Sequence, residues 1–326
     1  MTDKFLLLDM LADGRFHSGE TLGQQLGISR TAVWKVLQTY TELGLEVQAV
    51  PGRGYRLARP VELLDESVIL DAIDEPARVL LSALEVHRDI ESTNGYLLDK
   101  VNTGVSSGFV CLAERQQAGR GRRGRHWISP FGANLYLSVL WKFDTAPSAL
   151  SGLSLAIGIA VIRALRDNGI TSAGLKWPND IVINGQKLAG ILIEMTGESA
   201  GPCHVVTGVG ININMPESAG RQIDQAWVDM NSLLEDENIS RNRFAGKVVE
   251  YVVSTLDSFS ERGLSSYMDE WNRVDVLVGR PVVLHMGNGD ISGVACGIDM
   301  NGALIVDCNG KKERFDSGEV SLRAAS

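Results

Sequence analysis

Three glycines spaced as G-x-G-x-x-G, Gly119, Gly121 and Gly124, constrain the fold of this 326-residue chain most, through the kind of sequence that comes directly after them. A dinucleotide fold needs a helix to open at such glycines, so that its N-terminus faces a pyrophosphate. Here Trp127, Pro130 and Gly132 come next, and then a β-like run from Asn134. The doubly wound nucleotide fold is excluded, and no G-x-x-x-x-G-K-[ST] string supplies the phosphate loop of the other common solution. What remains is a loop that packs Arg115, Arg120, Arg122, Arg123 and Arg125 into eleven residues. Guanidinium groups repel one another until an anion arrives, each can pair with phosphate or carboxylate through two parallel hydrogen bonds, and glycine admits a close backbone approach. The run reads as a flexible anion-binding loop; the alternative is a solvated basic surface or a nucleic-acid patch.

Two further clusters share the central region. In Lys176-Trp177-Pro178-Asn179-Asp180, Pro178 comes after a short strand and Asp180 opens the next, which puts Asn179 and Asp180 at a fixed sheet corner. Lys187 starts the run Lys187-Leu188-Ala189-Gly190, whose continuation to Ile193 is apolar. A lysine at the edge of a core either snorkels to solvent or neutralises a bound anion, and the nearby arginine loop favours the second. Ser92-Thr93-Asn94 lies between a strand and a helix. These residues are an N-cap, or their hydroxyl and amide groups bond a polar ligand ring.

Around these clusters the chain divides into three. An apolar helix through Phe5, Leu6, Leu8 and Leu11 stops at Gly14. Ser18 then caps a helix over 19–26, Gly27 turns, and Ser29 caps a second helix with Val33, Val36, Leu37 and Tyr40 on one face. Strand 45–50, turn 51–54 and strand 55–57 form a hairpin. This pattern is a winged helix-turn-helix, with Ser29, Arg30, Thr31 and Lys35 near the start of the recognition helix and Arg53 and Arg56 on the wing as candidate DNA contacts. A small helical interaction module is the alternative. After Arg59-Pro60, strands are expected at 84–90, 109–114, 134–141, 175–177, 181–183, 187–195 and 203–212, and helices at 95–100, 149–168 and 241–260. Asn184-Gly185 is a strong hairpin signal, so the sheet is at least partly antiparallel. From Val276 short β runs punctuated by Gly287-Asn288-Gly289, Asn301-Gly302 and Asn309-Gly310 indicate a small antiparallel barrel.

This length suits two or three modules, and 44% hydrophobic with 22% charged residues describes an ordinary globular chain. A net charge of −9 argues against nucleic-acid binding over the whole surface but leaves room for a local basic face. Cys111, Cys203, Cys296 and Cys308 are too scattered for a disulfide framework or a metal site, and read as reduced, buried or semi-buried thiols. No apolar run is read as spanning a bilayer, and Asp3 and Asp9 stand where a signal peptide has basic residues, so a cytoplasmic location is expected.

Taken together, Ser92-Thr93-Asn94, the run from Gln116 to Gly124, Lys176 to Asp180 and Lys187 to Gly190 resemble the biotin protein ligases. With the leading winged helix, the chain is similar to their bifunctional, DNA-binding branch. The resemblance implies an α+β architecture: a winged helix-turn-helix (1–60), a mixed-sheet, class II synthetase-like ligase domain (61–272) and a C-terminal SH3-like β barrel (273–326). It implies that biotin and ATP form biotinyl-5′-AMP, that biotin passes to a lysine of the biotin carboxyl carrier protein of acetyl-CoA carboxylase, and that Mg²⁺ accompanies ATP, with no ligands identified. It further implies a homodimer with biotinyl-AMP that represses biotin biosynthesis genes by binding operator DNA. Ser92, Thr93, Asn94, Gln116, Gly119, Arg120, Gly121, Arg122 and Lys187 would bind biotin. Arg122, Arg123, Gly124, Trp127 and Asn179 would bind the adenylate, with Lys187, Arg122 and Asp180 catalytic. His126, where a lysine would continue the basic run, carries no assigned role. The rival readings are a lipoate or related acyl ligase, and a regulator that senses a small acid without catalysis.

Overall fold

The computed structural model describes residues 4–234, 239–286, 289–316 and 321–324. Three helices, α1 (Lys4–Leu11), α2 (Gly19–Leu26) and α3 (Arg30–Thr39), precede the hairpin of β1 (Val47–Val50) and β2 (Gly54–Leu57). Ser18 and Ser29 cap α2 and α3 by accepting from the backbone amides of Thr21 and Ala32, and Gly27 ends α2 at φ 65°. Leu7, Leu8, Leu11, Leu22, Val33, Leu37, Tyr40 and Leu57 form the core of this unit, which also takes in Phe131 from beyond the linker. Strand β1 starts at Val47, because a 3-10 turn over Tyr40–Leu43 carries the chain to Gly44.

Next come two short helices that the sequence did not announce, α4 (Glu66–Asp71) and α5 (Glu75–Arg78), then β3 (Ala83–His87), α6 (Thr93–Val101), β4 (Phe109–Ala113), β5 (Leu135–Phe143) and α7 (Leu153–Asp167). Strands β6 (Gly174–Lys176), β7 (Asp180–Ile183), β8 (Gln186–Gly197) and β9 (Cys203–Ile211) complete a sheet of order β3-β4-β5-β9-β8-β7-β6, in which only β3 and β4 run parallel. The β7–β8 turn is at Asn184 and Gly185, both with positive φ as a two-residue hairpin requires. Helices α8 (Glu217–Gly220), α9 (Arg241–Arg262) and α10 (Met268–Val274) come after the sheet.

Helix α7 does not start at Ala149: Gly152 sits at φ 80° and leaves Pro147–Leu150 as a separate 3-10 turn. The 21 residues Pro147–Asp167 are nevertheless long and apolar enough to cross a membrane by length and composition, which corrects the sequence reading. Eleven residues of α7 are buried, packed against the sheet and α9, as in the core helix of a globular unit. The thiol reading also needs one correction, since Cys296 is exposed.

The last strands, β10 (Pro281–Met286), β11 (Gly289–Ile298), β12 (Leu304–Cys308), β13 (Lys311–Phe315) and β14 (Ser321–Ala324), form an antiparallel sheet of order β13-β12-β11-β10-β14. Turns at Gly302 and at Asn309-Gly310 have positive φ; Gly287 and Asn288 of the first expected turn lie outside the described residues. Val282, Leu304, Val306 and Phe315 join the same apolar cluster as α7, α9 and the larger sheet, and Trp177 Nε1 donates to Gly302 O at 2.9 Å. The C-terminal sheet thus shares its core with the central unit.

An ionic cluster centred on buried Glu114 ties the N-terminal unit to the central one. Glu114, 0% exposed at the end of β4, pairs with Arg241 of α9 at 2.7 Å and with Arg88 at 3.3 Å, while Arg88 reaches Asp9 of α1 at 2.9 Å.

Candidate functional site

Strand register builds the floor of the site. Tyr136, Gly210 and Gly190 align across β5, β9 and β8, and Ser138, Gly208 and Leu192 align one step further, all on one face of the sheet. Three glycines on that face leave a trough where side chains would otherwise stand. A methyl at Gly208 would overlap Asn94, and one at Gly210 would overlap the Trp127 ring. The trough opens into a cavity of about 370 Å³, within the range usual for small-molecule sites.

One end is polar and tightly bonded. Ile90 resumes the β3–β4 pairing with Gln116 beyond the strand ends, which sets the start of α6 beside Gln116. Gln116 Oε1 accepts from Thr93 N at 2.9 Å and from Thr93 Oγ1 at 3.1 Å. Ser138 Oγ lies 2.6 Å from Asn94 Oδ1 and 2.7 Å from Thr93 Oγ1, and Asn94 Nδ2 donates to Glu194 Oε2 at 2.8 Å. Arg120 pairs with the same Glu194 oxygen at 3.1 Å. Ser92 both caps α6 through Gly95 N and lines the cavity, so the two readings of Ser92-Thr93-Asn94 are compatible.

The other end is cationic. The glycine loop is a small hairpin: Trp127 N donates to Gly119 O, Gly121 N donates to Arg125 O at 2.7 Å, and Arg122–Gly124 makes one 3-10 turn at the tip. The run read as a loop thus folds back on itself through backbone hydrogen bonds. Arg122 donates to Asn179 Oδ1 at 3.3 Å. Burial lowers its pKa and the charges of Arg123 and Arg125 lower it further, while Asp180 raises it, so a further anion beside Arg122 is favoured. Lys187 Nζ stands 2.6 Å from Asp180 Oδ1, held by charge more than by an aligned hydrogen bond, and 5.5 Å from the Trp127 ring centre.

Ser92, Thr93, Asn94, Gln116, Arg120, Gly121, Arg122, Trp127, Asn179, Asp180 and Lys187 therefore line one cavity, as does His126. Gly119, Arg123 and Gly124 do not. Gly119 is buried where a side chain would strike Trp127 O and Ser129, and Arg123 and Gly124 turn the hairpin tip with φ of 58° and 72°. Sequence reasoning missed Ser138, Glu194, Gly208 and Gly210; the two glycines were signalled by the alternation Thr207-Gly208-Val209-Gly210. It also missed the lining stretch Gln222 to Trp227, which pairs with Lys187 through Lys187 N to Ala226 O and Val228 N to Lys187 O.

On the N-terminal unit, Ser29, Arg30, Thr31, Lys35 and Arg53 are exposed and Arg56 is half-buried. Both wing arginines stack on Phe16, at 4.2 and 4.7 Å from its ring centre.

Comparison with known proteins decides what this arrangement belongs to. Residues 86–212 match the biotin/lipoate A/B protein ligase family, residues 4–56 an HTH domain, and residues 277–323 the biotin protein ligase C terminal domain. The bifunctional ligase/repressor BirA of Salmonella typhimurium is 43% identical over 98% of this chain and 97% of its own. The chain belongs to the bifunctional ligase/repressor family. The BirA of Bacillus subtilis is 30% identical over 95% of each chain. A biotin protein ligase from Aquifex aeolicus, solved in complex with biotin and ATP, superposes with a TM-score of 0.64 at 27% identity, covering 75% of this chain and all of that one.

Proposed function

We propose that this biotin ligase/repressor joins biotin to ATP in the 370 Å³ cavity and then hands the acyl group to a carrier lysine. One observation carries the reading: four separate sequence motifs converge on a single trough that is polar and hydrogen-bonded at one end and cationic at the other. Ser92, Thr93, Asn94 and Gln116 would hold the ureido ring, Arg120 and Gly121 the acyl tail, and Trp127 the adenine. The biotin carboxylate oxygen attacks the α-phosphorus of ATP and the bond to pyrophosphate breaks. Lys187 and Arg122 offset the charge of two anions brought together and of the departing phosphate, and Asn179 fixes Arg122. The amine of the carrier lysine then attacks the acyl carbon, AMP leaves, and the amine proton is lost as the amide forms. Asp180 holds Lys187, which favours an orienting role over proton transfer.

Among the described residues no group of three His, Cys, Asp or Glu is placed to hold a metal ion. Magnesium would arrive with ATP and offset part of its phosphate charge.

The acceptor is the biotin carboxyl carrier protein of acetyl-CoA carboxylase. Residues 61–272 and 273–326 act as the ligase, and residues 1–60 bind operator DNA as a homodimer when biotinyl-AMP is present, all in the cytoplasm. Support for dimerisation comes from β8: β7 pairs with it only as far as Gly190, so from Leu192 to Gly197 its strand partner among the described residues is β9 alone. An open strand edge of this kind pairs readily with a second copy. Biotin-dependent pyrophosphate release and label transfer to the carrier protein test the enzyme; release with lipoate and none with biotin would overturn the substrate assignment. Gel shifts with and without biotin plus ATP test the repressor, and equal binding under both conditions would refute ligand control.

A further inference from the structure

The recognition helix α3 carries one large side chain that charge-based DNA binding does not use. Trp34 is 44% exposed, although Val33, Leu37 and Tyr40 bury the other face of this segment. It stands four residues after Arg30 and three after Thr31, so it shares their outward face, with Lys35 beside it. It is also fixed. Its ring lies 5.9 Å from that of Tyr55 on the wing strand β2, at an interplanar angle of 32°. Tyr55 is itself pinned by backbone hydrogen bonds in both directions with His17, each 2.8 Å. Gly19 makes the room: a methyl there would sit 3.0 Å from the Tyr55 ring and 3.1 Å from Arg30 Cγ. The result is a two-ring platform bridging recognition helix and wing, with Arg30 beside Tyr55 at Gly19, exposed Lys35 next to Trp34 along the helix, and exposed Arg53 on the same hairpin as Tyr55.

A rigid apolar edge among cations calls for a partner that is anionic around one apolar feature. Duplex DNA offers that in the major groove, where the thymine 5-methyl group is the apolar mark among base edges. We propose that Trp34, held by Tyr55, reads a thymine methyl in each operator half-site, while the surrounding Arg and Lys side chains engage phosphates and polar base edges. This rests on the reading that residues 1–60 bind operator DNA, and it adds a specificity determinant to that reading.

The test uses the full chain with biotin and ATP. A duplex is selected from a random-sequence pool by the wild-type protein and resynthesised with each thymine in turn replaced by uracil, which removes only the methyl. One thymine per half-site should bind about fourfold more weakly as uracil, the value of one buried methyl-sized group. In Trp34→Ala, and in Trp34→Gln as a second exposed-site variant, that difference should vanish while the dependence of binding on salt keeps its slope, because no phosphate contact is lost. If the uracil effect is absent in the wild type or survives in both variants, this inference alone is overturned. If the wild-type protein selects no sequence, the DNA-binding reading fails and this inference fails with it.

Discussion

A single methyl group at position 208 should disable the polar end of the site. In Gly208→Ala the new carbon would meet Asn94 Oδ1 inside the 3.0 Å that side-chain carbons respect, with Asn94 Cγ and Nδ2 close behind. The amide cannot retreat cheaply, since Ser138 Oγ holds its oxygen at 2.6 Å and its nitrogen donates to Glu194 Oε2 at 2.8 Å and to Leu192 O at 3.3 Å. A neutral hydrogen bond contributes about 1 kcal/mol net and one to a charged group about 1.5–3 kcal/mol, so losing the Ser138 and Glu194 contacts costs about 3 kcal/mol. If that cost falls on ligand binding, biotin affinity drops about a hundredfold. Isothermal titration with biotin measures the loss, and thermal unfolding checks that the sheet survives. Asn94→Ala should weaken binding by itself, but Gly208→Ala added to it should cost little more, because the atom struck is gone. Full biotin affinity in Gly208→Ala, or strictly additive losses in the double variant, would refute the reasoning.

Charge governs the remaining predictions. Lys187→Met should slow biotin-dependent pyrophosphate release by about 10²–10³-fold while biotin still binds, as when one preorganised donor is removed; a rate near wild type would remove Lys187 from catalysis. Arg241→Ala strips a partner from Glu114, which is fully buried, and should destabilise the chain by about 3 kcal/mol, the low end for a broken buried pair because Arg88 remains; Glu114→Gln in the same chain should recover part of the loss in denaturant melts. At Glu62 burial raises the pKa, but hydrogen bonds from Asn242, Ser240 and the Arg241 and Asn242 amides outweigh it and lower the folded value below 4.5. The stability Glu62 contributes is therefore fully present above pH 4.5 and lost as pH falls through the lowered value, and Glu62→Gln should flatten the acid limb of a melting-temperature profile.

Local chemistry that depends on near neighbours was legible in the sequence. Ser18 and Ser29 cap helices, Asn184-Gly185 turns a hairpin, and the absence of a helix after Gly124 excludes the dinucleotide fold, all within a few residues. The arginine loop, Lys187 and Ser92-Thr93-Asn94 stood out as types suited to anions and polar rings. Their meeting in one cavity was not readable from spacing, because it depends on which strands pair and in what register. Pairing β5, β9 and β8 aligned Gly190, Gly208 and Gly210 into a floor, brought Ser138 and Glu194 to Asn94, and added the stretch from Gln222 to Trp227, which has no periodicity of its own. Residues such as Gly119 and Arg123 looked equivalent to their neighbours until the hairpin turned them away. Sequence by itself determined the units and the chemical types available to each. Tertiary structure decided which of them face one another, since the faces of a sheet and the partners of a buried charge are set by contacts between residues distant along the chain.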